Sequence, residues 1–270
     1  MEARGSWRTD PRVTESIEGL YDLFANRYEL PSHVVGCPCC VSDADQERIH
    51  VAPLGDLTAE DLDRYAFKAM TTWGTVNDFK HMLPRILELQ ACDPDWLGDV
   101  QAALGKLAYG GWLSWPADEQ AALRAYLHGC WEAGLDSYAD WPNRFGPEDW
   151  LEGIVCAGDD TAWYIYAWRE TASESALLHL TGFVIDVQSQ LAAGTLAGPY
   201  TAHPEYRQAS EKCAQQVCAW LFDPVLHARL EQLALVDERE PFAGAAAGGV
   251  NTTSLALLHI DALRSSAGAT

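Results

Sequence analysis

The sequence predicts an all-α fold, on three observations. Apolar residues recur at helical three- and four-residue spacing through most of the chain after residue 57, and long strand-like alternation is absent. Prolines also open several of the periodic stretches, at the one helical position where a missing amide hydrogen does no harm. The chain of 270 residues is 48% hydrophobic and holds 11 tryptophans. That apolar content can offset the entropy of ordering the chain, which excludes intrinsic disorder.

Each element follows from local pattern. Ile17, Leu20, Tyr21, Phe24 and Tyr28 form the stripe of a first helix near 13–29. Residues 31–45, rich in Pro, Gly, Ser and Cys, read as a loop, and Ile49-His50-Val51 as a brief strand. Thr58 caps the next helix, whose inner face is Leu62, Tyr65, Ala66, Ala69 and Trp73 and which Gly74 ends. A helix over 75–91 carries Phe79, Met82, Leu83, Ile86, Leu87 and Leu89, so both of its sides should touch protein. Pro84 falls inside it and predicts a kink, a split, or the start of a new helix. Pro94, Pro116 and Pro147 each open a further helix. Helices then follow at 159–171, 173–192, 204–222, 224–235 and 252–264, with 237–249 a flexible connection and 265–270 a frayed tail.

Short turns between such helices predict a multi-helix array of antiparallel helix hairpins. The hairpins span about 30–45 residues, the size of HEAT-like units, so the pattern fits either a helical repeat or a compact multi-helix domain. Residues 1–56, the first helix plus the Cys-rich loop, are expected to pack on a helical domain over 57–270.

Charge narrows the function classes. Eighteen Lys and Arg face 39 Asp and Glu, a formal net charge of −21. Such a chain repels phosphate backbones and anionic lipid, which argues against direct nucleic-acid or membrane binding and favours a basic protein partner. No segment reaches the ~18 uncharged apolar residues of a membrane span. The polar start from Met1 to Ser16 lacks a signal core, so a soluble cytoplasmic protein is expected.

In a reducing compartment, clustered cysteines read as metal or redox chemistry rather than as disulfides. Cys92, Cys130, Cys156, Cys213 and Cys218 sit singly in apolar stretches and read as small buried hydrophobes. His33-Val34-Val35-Gly36-Cys37-Pro38-Cys39-Cys40 is different. Its Cys37-Pro-x-Cys40 spacing resembles a zinc knuckle, because two intervening residues let both sulfurs converge while turn amides point toward them. Zinc wants four tetrahedral ligands. Cys37 and Cys40 supply two, and Cys39, His33 and His50 are the candidates for the rest. Such a zinc would be structural, in a closed site tying the loop to the helices. The alternatives are a metalloenzyme centred on the Cys37–His50 loop, with Glu47 nearby, and a thiol redox sensor. Glu47-x-x-His50 is a single copy of a spacing that di-iron bundles need twice.

Other features read as structure. Trp73 and Phe79 belong to the core, with Arg85 pairing Glu88 or Asp78, although Asp78, Lys80, His81 and Arg85 are also candidates for a polar cleft. His128, His179, His227 and His259 are isolated structural histidines. The cluster Trp112, Trp115, Trp131, Trp141, Trp150, Trp163 and Trp168 is first a packing feature. Its alternative is a groove rimmed by Glu148, Asp149, Asp159 and Asp160 for a basic amphipathic segment. Serine-nucleophile, phosphate-loop and dinucleotide motifs are absent. The leading expectation is therefore a non-enzymatic, acidic helical interaction factor of adaptor, inhibitor or immunity type, carrying a metal loop and binding a basic protein.

Overall fold

Three short polar signatures start three of the helices that build the N-terminal half. Ser42, Thr58 and Thr75 each accept an amide hydrogen three residues on, while Asp45, Asp61 and Asp78 accept in return from the capping residue's own amide. Two otherwise orphaned donors are thereby satisfied at each helix start. The computed structural model describes residues 9–93, 96, 98–138, 146–171, 173–196, 204, 206–239 and 250–268. Among these the chain is all-helical, and strand-like pairing is limited to two isolated bridges, Gly36 with Trp73 and Ala69 with Trp73.

The helices are α1 (Pro11–Leu20), α2 (Asp43–Arg48), α3 (Ala59–Lys68), α4 (Val76–Cys92), α5 (Val100–Tyr109), α6 (Ala117–Asp136), α7 (Pro147–Ala157), α8 (Thr161–Glu170), α9 (Glu174–Ala192), α10 (Arg207–Leu221), α11 (Pro224–Ala234) and α12 (Thr252–Ala267). The chain divides into two compact units, Met1–Gly134 and Leu135–Thr270, the division falling in the last turn of α6. Residues 1–56 belong to the first unit together with 57–134. No helix among the described residues is long and apolar enough to cross a membrane.

In the first unit α4 is central. It packs on α1, on the π-helical turn Tyr21–Ala25 that continues α1, and on α3 and α5. Phe79, Met82, Leu83, Ile86, Leu87 and Leu89 are all buried, so the helix is covered on more than one side as its composition predicts. Pro84 neither splits this helix nor opens a new one; residues 76–92 remain helical through it. Pro84 is itself buried. In the second unit α9 packs most extensively on α12, α11 also lies on α12, and α7, α8 and α10 contact one another. Pairings such as α1 with α4 and α9 with α12 skip intervening helices. A stack in which each repeat touches only its neighbours lacks such pairs, and the HEAT-like arrangement is not observed.

Other sequence expectations are corrected locally. The first helix gives way to the π turn at Tyr21, and Ile49-His50-Val51 is the end of α2 and a turn rather than a strand. Helix α3 stops at Lys68, short of Gly74, because the chain must reverse at Met70, whose φ of 64° lies in the left-handed region. Residues 237–239 are packed rather than flexible, and α12 continues to Ala267 through the expected tail. Pro94, Trp141 and residues 240–249 lie outside the described residues. Five tryptophans of the cluster, Trp112, Trp115, Trp131, Trp150 and Trp168, are buried, so their rings fill cores instead of lining a groove.

One titratable group in the second unit sets a pH dependence. Glu148, in the first turn of α7, is partly buried with its carboxylate against Gly146. Burial, together with the charges of Asp149 and Asp186, pushes its pKa up to about 7. A folded-state pKa raised above the usual value of 4.5 means this group favours folding below that value and opposes it as pH rises through about 7. Glu148→Gln should therefore stabilise the protein by about 1–2 kcal/mol at pH 8 and by nothing at pH 4. Denaturant midpoints of both proteins across that range test the sign.

Candidate metal centre

The turn at residues 36–41 is fixed by its surroundings. Cys37 donates its amide hydrogen to the Thr72 carbonyl at 2.8 Å, and Gly74 donates to the Val35 carbonyl at 2.7 Å. The early end of α3 makes this pairing available, because the chain from Met70 to Gly74 runs back beside residues 35–37. Gly36 admits no side chain here: a Cβ would stand 2.8 Å from Val41 Cγ2 and 3.3 Å from Trp73 Cδ1. Trp73 is buried edge-on against Tyr65, with ring centroids 5.2 Å apart.

Side chains complete the clamp. The buried Gln46 of α2 accepts from the Val34 amide at 3.1 Å and donates to the Val34 carbonyl at 2.6 Å, standing in for a neighbouring strand. Arg64 of α3 donates to the Cys40 carbonyl at 3.0 Å while its Nε lies 2.8 Å from Asp45. Within the turn, the amides of Cys40 and Val41 both donate to the Cys37 carbonyl at 2.9 Å. None of these contacts involves a sulfur: backbone bonds, the Gln46 amide and the Arg64 guanidinium hold the turn.

The three sulfurs gather on that scaffold. Cys37, Cys39 and Cys40 place their Sγ atoms within 4.8 Å of one another, a grouping able to hold a metal ion. Cys37 and Cys39 Sγ are 3.0 Å apart, and Cys39 and Cys40 Sγ are 3.6 Å apart. Cys39 is exposed and the other two are half-buried. Hydrogen bonds from the Cys39 thiol, the Cys39 amide and the Cys40 thiol hold the Cys37 thiol below its usual pKa. Hydrogen bonding to the Cys37 and Cys40 thiols, with the charge those groups carry when ionised, pushes Cys39 up to about 11.

The two histidines stand apart from this group. His50 places Nδ1 2.7 Å from the Gln46 carbonyl and Nε2 2.9 Å from the Pro31 carbonyl, so its ring faces these carbonyls rather than the sulfurs. His33 places no nitrogen in the sulfur group, and Glu47 is exposed without joining it. The residues that sequence reasoning missed are the clamps, Gln46 and Arg64. Only the Ser42-x-x-Asp45 capping pattern could have revealed the helix carrying Gln46.

The polar cleft candidates resolve as structure. Arg85 pairs with Glu88 at 2.6 Å, Asp78 caps α4, and His81 Nδ1 meets the Tyr28 carbonyl at 2.6 Å. Of the remaining cysteines, Cys130, Cys156 and Cys213 are buried. No family model, curated protein or solved structure matches this chain.

Proposed function

We propose that this protein is a non-enzymatic, acidic helical factor that takes up a thiophilic metal ion at the Cys37-Cys39-Cys40 turn. The observation that supports it most is the convergence of three thiol sulfurs on a turn already pinned by other bonds. Thiolates select soft ions, and a preorganised donor set lowers the ordering cost of binding. Zinc is one ion of that class. All three sulfurs come from one four-residue segment, so an ion there would cross-link nothing distant, unlike a metal that folds a domain.

The test is equilibrium dialysis of the reduced protein against Zn(II), Cd(II) or Cu(I), followed by elemental analysis. Wild type should retain metal and Cys37→Ser should lose it; failure to retain any of the three ions removes the reading. Chelation should leave helical content unchanged, because bonds from Gln46, Arg64 and Thr72 hold the turn without an ion. Unfolding on chelation would restore the closed structural site.

A second reading, docking of a basic protein, is favoured by the net charge of −21. A mainly apolar groove in the second unit is lined by Leu177 of α9 and by Pro224, Val225, Ala228 and Leu233 of α11, with Glu174 and Arg229 as its charged lining residues. Charge-steered association weakens with salt. Binding of a basic amphipathic peptide should fall steeply between low and physiological ionic strength, and salt-independent binding would count against this reading.

A further inference from the structure

We propose that the Cys37-Pro38-Cys39-Cys40 turn is a three-sulfur site for Cu(I), carried at the surface and exchangeable. This inference rests on the metal reading above and adds the identity and coordination of the ion. Three features of the geometry point to it.

The first is the donor count. The sulfurs of Cys37, Cys39 and Cys40 form the group, and no histidine, aspartate or glutamate among the described residues joins it. Asp45 and His50 have other contacts. Asp45 receives the Ser42 amide and hydroxyl on one oxygen and Arg64 on the other, and both nitrogens of His50 meet carbonyl oxygens. Zn(II) in protein sites is almost always four-coordinate, whereas a soft monovalent ion is satisfied by three thiolates.

The second feature is rigidity without metal. Thr72, Val35, Gln46 and Arg64 hold the backbone on both sides of the turn. Recruiting His50 as a fourth ligand would turn its ring away from the Gln46 and Pro31 carbonyls that its two nitrogens face. The third feature is access. Cys39 is exposed, and Cys37 and Cys40 are half-buried, so an incoming ligand can reach the ion without unfolding the protein. A site of this kind suits carriage and hand-over of the ion rather than permanent retention.

The experiment titrates the full chain, fully reduced and without oxygen, with Cu(I) buffered by a competing chelator and in parallel with Zn(II). The expected result is one Cu(I) per chain with only sulfur neighbours by X-ray absorption, and displacement of bound Zn(II) by an equal amount of Cu(I). Cys37→Ser, Cys39→Ser and Cys40→Ser should each weaken Cu(I) binding by more than about 100-fold, beyond the 10–100-fold typical of an outer-shell partner. His33→Ala should leave it unchanged, and unfolding midpoints confirm that every variant is folded. A nitrogen neighbour, loss of affinity in His33→Ala, or retention of Zn(II) against Cu(I) overturns the proposal while leaving metal binding intact. Recovery of a Cys37–Cys39 disulfide in place of the bound ion also overturns it. Binding of neither ion overturns the proposal, and failure to bind Cd(II) as well sinks the metal reading.

Discussion

Glu119→Ala should destabilise the first unit by about 3–5 kcal/mol, the usual consequence of removing one partner from a buried ion pair. Glu119 is fully buried, at 0% exposure, in the first turn of α6. Its Oε2 lies 2.6 Å from Lys80 Nζ of α4, and its Oε1 accepts from the Tyr28 hydroxyl at 2.6 Å and from Arg27 at 2.9 Å. Lys80 is itself buried, lying 4.2 Å from the centroid of the Trp115 ring. Alanine would leave that ammonium, among the described residues, with the Tyr28 hydroxyl at 3.0 Å as its remaining hydrogen-bond partner. Burial raises the Glu119 pKa, but hydrogen bonds from Lys80, Tyr28 and Arg27 outweigh it and hold the carboxyl below its usual 4.5. A folded-state pKa held low means the contribution is present above 4.5 and is lost as pH falls through the folded value. Denaturant unfolding at pH 7 and in acid checks both statements: the gap between wild type and variant should narrow in acid. Glu119→Gln, which keeps acceptor and shape, should lose less. Equal stability of wild type and Glu119→Ala would mean that the pair is replaced by water at no cost.

The helices were legible because their signals are local. Stripe, cap and opening proline sit within one or two turns of each other, and α6, α7, α9, α11 and α12 start within about three residues of where those signals place them. What escaped the sequence depends on distant partners. Nothing near Lys68 marks the end of α3; it ends because residues 72–74 pair with 35–37, more than thirty positions back. The choice between a HEAT-like repeat and a compact domain was open for the same reason, since contacts such as α9 with α12 are invisible to hairpin spacing.

The candidate site divides in the same way. The three thiols were legible, because four consecutive residues cannot place them far apart. The histidines were not, because their reach depends on the loop's path: Gln46 and Pro31 present carbonyls to His50 before any sulfur can. The clamp also changes the meaning of the site. A metal that organises a loop requires a loop that is loose without it, and bonds from Gln46, Arg64 and Thr72 already do that organising here.

Asp237→Ala should cost the second unit a comparable 3–5 kcal/mol, since it removes a nearly inaccessible carboxylate that several donors require. Arg239 donates to both Asp237 oxygens, at 2.8 and 3.0 Å. The Thr253 amide in the first turn of α12 reaches Oδ2 at 3.0 Å, and the Thr253 hydroxyl reaches it at 2.5 Å. Arg239 continues the network to the Tyr138 hydroxyl at 2.6 Å and to Thr181 of α9 at 2.9 Å. The carboxylate thus caps α12, where the helix dipole favours a negative charge, and orients the guanidinium that ties α12 to α9. Burial raises the Asp237 pKa, but the bonds from Arg239 and Thr253 prevail and hold it well below the usual 3.8. Its contribution is therefore complete above 3.8 and is lost only in stronger acid. Asp237→Asn should lose most of the same stability despite keeping the shape, because the amide cannot bind Arg239 as a charged fork. Hydrogen exchange should show amides of α12 and of the facing turns of α9 losing protection together, with α8 and α10 changing least. Loss of protection at the α12 cap alone would reduce Asp237 to a helix cap worth about 1 kcal/mol and remove the link to α9.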